Sequence, residues 1–77
     1  MKIKEHDCVV LTADLPAEKL EAGDVGTVVH LHQGGVAYEV EFITLDGHTV
    51  AVATVAREQF RPVTRRDLSH VRELAVA

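Results

Sequence analysis

Four small groups of residues in this chain have types and spacings that could do chemistry. His30 and His32 stand two apart, so on an extended strand they share a face. His48, after a later turn, can supply a third imidazole, and three imidazoles are a zinc-binding set. The plainer reading is three solvent-facing polar residues, because no cysteine pair or carboxylate lies at ligand spacing. His6 and Cys8 share a face in the same way, and an imidazole beside a thiol favours the reactive thiolate. No orienting third group accompanies them, and an outer strand of so small a protein holds no substrate cleft. A buried structural cysteine is therefore expected. Glu39 and Glu41 could act as paired carboxylates. Their alternation with Tyr38, Val40 and Phe42 already accounts for them as the wet side of a strand. Arg57, Arg61, Arg65 and Arg66 form the basic cluster, able to grip RNA or an acidic protein surface. No exposed aromatic interleaves with them, and salt bridges to nearby acids explain them as well. The expectation is no catalytic, cofactor or metal site, and no enzyme.

The elements that must position these groups are bounded by size. A chain of 77 residues holds one domain and buries roughly 60% or a little more of its unfolded surface. Hydrophobic content is 47% but aromatic content only 4%. The core must come from Val, Leu, Ala and Ile, with Tyr38, Phe42 and Phe60 as its rings. The net charge of −4 is unevenly placed. Residues 1–50 set Lys2, Lys4 and Lys19 against nine acids, whereas residues 51–77 set five arginines against Glu58, Asp67 and Glu73. An acidic surface repels phosphate backbones and favours basic partners, besides serving solubility. Cys8 is a single cysteine, which excludes an intramolecular disulfide and points to a reducing compartment. Residues 1–7 contain no apolar leader segment, and no apolar run approaches membrane-spanning length. A soluble, cytoplasmic protein without membrane partners is expected.

Along the chain, residues 8–12 read as a first strand. Pro16 opens and Gly23 closes a long loop carrying one helical turn, with Leu15 and Leu20 folding back onto the core. The segment Glu21-Ala22-Gly23-Asp24-Val25-Gly26-Thr27-Val28-Val29 reads as a loop feeding a strongly bent strand, because glycine permits close approach and bending. Strands follow at residues 25–32, 37–43 and 49–55, joined by hairpins at Gly34-Gly35 and Asp46-Gly47. A helical turn at residues 56–59 precedes a last strand at 60–63, where Pro62 demands an edge position. From Thr64 the period changes. Thr64 and Asp67 make a short capping box, Val63 and Leu68 a hydrophobic staple, and Leu68, Val71, Leu74 and Ala75 one helical face. The expected fold is mainly β: a small five-stranded antiparallel SH3-like barrel over residues 1–63, with a C-terminal α-helix over residues 64–77.

Three runs carry a resemblance: Asp7-Cys8-Val9-Val10-Leu11 with Asp14-Leu15-Pro16; Ala22-Gly23-Asp24-Val25-Gly26-Thr27-Val28-Val29; and Ala37-Tyr38-Glu39-Val40-Glu41-Phe42 with Asp46-Gly47 and Thr49-Val50-Ala51-Val52. In order and spacing they resemble a family of small bacterial proteins known only as a domain of unknown function, over roughly residues 6–63. That resemblance implies an SH3-like barrel and no established activity. Such proteins are often encoded near toxin-type or mobile-element genes, which implies a regulatory, accessory or immunity-type role. The Gly-Asp-Val-Gly-Thr-Val element alone is also similar to KOW-type modules of ribosomal proteins and transcription factors. It is similar as well to the small SH3-like subunit of photosynthetic electron-transfer complexes. Each of these covers one loop and one strand. The acidic charge weighs against the first, and the missing basic docking patch against the second.

The functional expectation is a non-enzymatic protein-interaction or regulatory module. Its contacts are expected at Val36, Tyr38, Leu68, Val71 and Leu74, with a protein partner and self-association through the C-terminal helix. The alternative is a KOW-like nucleic-acid binder using Arg57, Arg61, Arg65 and Arg66.

Overall fold

A computed structural model describes residues 2–75. The ends of both expected segments, Met1 and residues 76–77, lie outside the described residues. Five strands form one antiparallel sheet in the order β4-β3-β2-β1-β5. They are β1 Cys8–Leu11, β2 Val25–His32, β3 Ala37–Ile43, β4 Thr49–Ala56 and β5 Phe60–Pro62. The long β2–β3 and β3–β4 hairpins follow from strict alternation: Tyr38, Val40 and Phe42 are buried while Glu39 and Glu41 between them are not. The hairpin glycines Gly34, Gly35 and Gly47 have φ of 70°, 106° and 96°, the left-handed region that the turns require.

Among the described residues no second layer covers this sheet, yet Val9, Val28, Val40 and Val55 are 0% exposed. The sheet must therefore curl so that its inner face covers itself. Two register shifts supply the bend: an extra residue in β2, Val29, between Val28 and His30, and an extra residue in β4, Val50, opposite the Phe42–Ile43 step of β3. Ile3, Leu15 and Leu20 plug the open ends of the core, and Tyr38 packs edge-on against Phe60 at 5.0 Å between centroids. Leu15 and Leu20 are drawn together by a reciprocal pair of backbone hydrogen bonds around the 3-10 turn Pro16–Glu18. A second 3-10 turn, Arg57–Gln59, joins β4 to β5, the two edges of the sheet.

Beyond β5 the sequence reading is corrected. No α-helix forms among the described residues, so the expected C-terminal helix is absent. Its capping residues do meet: the Thr64 N–H donates to the Asp67 carboxylate at 2.6 Å, and the Asp67 N–H to the Thr64 carbonyl at 3.1 Å. That single turn does not propagate, and the chain then runs without regular secondary structure to residue 75. An isolated helix of about 14 residues is marginal in water because nucleation is costly, so side-chain anchoring elsewhere decides its shape. A second correction concerns Cys8, which is a free and exposed thiol rather than a buried one.

Candidate functional site

The C-terminal tail is strapped across the molecule by two arginine–carboxylate forks. Arg61 on β5 donates to both Asp67 carboxylate oxygens at 2.9 and 2.8 Å, fixing the turn where the tail leaves the sheet. Further on, Arg72 reaches the loop between β1 and β2. Its Nε and Nη2 donate to the two Asp24 oxygens at 2.8 and 2.6 Å, and Nη1 stands 3.7 Å from Glu21. Asp24 is preset for this role, since it also accepts the Glu21 N–H at 2.8 Å. The Arg72 hydrogen bonds hold the Asp24 carboxyl below its ordinary value, against the opposing effect of partial burial. Arg61 likewise holds Asp67 well below the usual carboxylate range.

Between strap and sheet lies a groove of about 730 Å³. Leu20, Val25, Phe42, Ile43, Leu45 and Val50 line one side, and Leu68, Val71 and Leu74 the other. Its walls are exposed to an unusual degree for large apolar groups: Leu45 is 84% exposed, Leu68 94% and Val71 68%. Val25 and Ile43 belong to the outward phase of β2 and β3, where a polar side chain is expected. The groove thus combines apolar walls with Asp46, Glu73 and the Arg72–Asp24 pair at its rim.

Of the expected contacts, Leu68, Val71 and Leu74 line this groove, although on an irregular strap rather than a helix face. Val36 is exposed at the β2–β3 hairpin, away from them. Tyr38 is corrected: its side chain is buried in the core against Phe60 and offers no docking surface.

The histidines divide between opposite ends of β3. His30 and His32 meet edge-on at 4.8 Å beside the β2–β3 hairpin, with His32 Nε2 2.8 Å from Glu39 and His30 Nδ1 4.0 Å from Glu5. His48 lies beyond the other hairpin, 3.0 Å from Asp46. Among the described residues no three His, Cys, Asp or Glu side chains converge as a metal site. Glu39 and Glu41 share the outer face but each is engaged separately, Glu39 by Thr54 and His32 and Glu41 by Thr49. The Thr54 hydroxyl, and after it His32, holds the Glu39 carboxyl below its ordinary value. Of the arginine cluster, Arg57 donates to the Phe60 carbonyl at 3.0 Å and stands over the Phe60 ring, and Arg61 is committed to Asp67. Arg65 and Arg66 are exposed at the turn.

Sequence reasoning missed the Arg72–Asp24 fork, whose partners are 48 residues apart and share no local spacing. It missed the sheet side of the groove as well, whose signal is that Val25 and Ile43 are apolar residues at polar-phase positions.

The fold and its strap define a small all-β domain of one curled sheet. Residues 5–62 match a family described as Domain of unknown function (DUF4926), and the chain belongs to that family. The matched stretch ends at Pro62, the last residue of β5, so the strap lies outside it. No curated protein and no solved structure matches the chain. Among the described residues no helix is long and apolar enough to cross a membrane.

Proposed function

We propose that this chain is a non-enzymatic protein-interaction module whose groove receives an apolar segment of a protein partner, flanked by basic residues. The single observation that carries this reading is the exposure of Leu45, Leu68 and Val71 around one concavity, far beyond isolated surface hydrophobics. The basic flanks follow from charge: three lysines stand against nine acids in residues 1–50, and Asp46 and Glu73 line the groove, where Asp24 is already held by Arg72. A nucleic-acid-binding role has less support, because Arg57 and Arg61 are spent on contacts within the chain.

The test is affinity capture from the source cell with the full chain, followed by titration of the purified pair. The wild type should hold a defined protein, and Leu68→Asp with Val71→Asp should weaken it by roughly tenfold or more, the loss of about 1.4 kcal/mol. Circular dichroism should be unchanged, because both positions are exposed. Equal binding by the double variant would remove the groove from the reading.

A further inference from the structure

The sheet has two edge strands, built in opposite ways. β5 is guarded. It is three residues long, Pro62 has no N–H, and the Phe60 and Pro62 carbonyls accept from the Arg57 and Arg61 guanidiniums, each at 3.0 Å. Short length, proline and charge are the devices that stop an edge from recruiting another strand. β4 carries none of these three, and its one irregularity, the extra residue Val50, lies near its beginning and leaves residues 51–56 in regular register. Thr49–Ala56 spans eight residues with no charge, proline or glycine, and five of them are β-branched. Its one ladder is to β3. Among the described residues, no backbone hydrogen bond outside that ladder involves residues 50–55. The strap does not occupy this edge as a strand; its residues 72–75 share concavities with Val50 at the beginning of β4.

We propose that the β4 edge pairs antiparallel with the β4 edge of a second copy of this chain, making one continuous sheet across a twofold axis. Charge selects the second copy and this place. Each copy has a net charge of −4, so copies repel wherever acids face each other, and β4 is the edge without charge. In such a pair Glu39 and Glu41 on β3 are separated from their counterparts by three ladder spacings, about 14 Å. That exceeds the Debye length of about 8 Å at physiological ionic strength, so their repulsion is screened. The pairing is also self-complementary, as a twofold contact must be. With the axis at Ala53, Val52 of each copy stands opposite Thr54 of the other on the outer face, giving two β-branched cross-strand pairs. Val52 is 54% exposed in the single chain and gains cover on pairing.

The experiment is sedimentation equilibrium on the full chain over a wide concentration range, with amide hydrogen exchange at both ends of that range. A dimer is expected, with amides of residues 50–55 slowing as concentration rises. Val52→Lys places a charge on the edge and should raise the dissociation constant by roughly tenfold or more, while Val52→Thr should change it by less than about threefold. Should Val52→Lys fail to fold, the concentration dependence of exchange in the wild-type chain still decides. A monomer at millimolar concentration overturns the proposal. So does a dimer indifferent to Val52→Lys and broken by Leu68→Asp with Val71→Asp, which would place the second copy in the groove. Protection of residues 50–55 that appears only with a different protein present also overturns it.

Discussion

Gly26 shows how one missing methyl group sets the curl of the sheet. A Cβ there would meet Val40 Cγ1 at 2.6 Å and both the Glu41 carbonyl oxygen and Phe42 Cδ2 at 2.9 Å. Two of these neighbours belong to the packed core, so Gly26→Ala should cost about 1–3 kcal/mol by overpacking. Gly47 makes the contrast. It has φ of 96° and nothing within 4 Å of a built Cβ, so its requirement is conformational alone. Gly47→Val should cost roughly 1 kcal/mol or more through the backbone. Urea denaturation of both variants separates the two causes, because Gly47→Asn, which tolerates the left-handed region, should restore most of the loss and Gly26→Asn should not. Asp24 makes a pH prediction. Folding lowers its pKa from 3.8, so the folded chain releases that proton more readily than the unfolded one. The stabilisation is complete above pH 3.8 and fades as pH falls through the lower folded value. The stability gap between wild type and Asp24→Asn, measured by thermal melts, should be steady near neutrality and close below pH 3.8.

At the level of elements, β2 and β3 begin and end where the residue pattern says they should, at Val25–His32 and Ala37–Ile43. Period-two alternation bounded by positive-φ glycines leaves little choice there, because a slip by one residue would turn Val40 and Phe42 out to water. The edge position of Pro62 was equally legible, for want of a donor. The tail was not. Leu68, Val71 and Leu74 have helical spacing, but spacing measures only which side chains would align, not whether a receiving surface exists. The actual decision rests on Arg72 and Asp24, a contact no local pattern announces. Cys8 was misjudged because the start of β1 is open while Val9, Val10 and Leu11 are covered. The strap's place outside the core yields a prediction. All the buried apolar residues among those described lie between Ile3 and Phe60. Deleting residues 68–77 removes the Arg72 fork, worth about 1 kcal/mol once discounted for its partial exposure. The truncated chain should keep its strand signal in circular dichroism and melt roughly 4–8 °C lower. Loss of the sheet would show that the strap is part of the core after all.

Across the whole molecule, charge is divided between an acidic sheet and a C-terminal stretch with more arginines than acids. The strap ties the second back onto the first through Arg72 on Asp24 and Glu21, and Arg61 is paired with Asp67. Arg65 and Arg66 are too few to release the counterions that tight binding of a phosphate backbone needs. Gel-shift titration at near-physiological salt should show no submicromolar binding of RNA or DNA. Binding in that range, lost on Arg65→Ala with Arg66→Ala, would reverse the conclusion.

The fork between Arg72 and Asp24 also makes the strap readable by a protease. Trypsin must take an arginine side chain into its own specificity pocket, and Arg72 cannot enter while its guanidinium is held by Asp24. Arg65 and Arg66, exposed at the turn, have no such protection. Raising ionic strength from about 0.15 M to 1 M shortens the Debye length from about 8 Å to about 3 Å and weakens the fork. Initial cleavage after Arg72, relative to cleavage after Arg66, should therefore rise with salt in the wild type and be fast at any salt in Asp24→Asn. The ratio of those two cuts reports the fraction of molecules whose strap has come away, with no partner needed to see it.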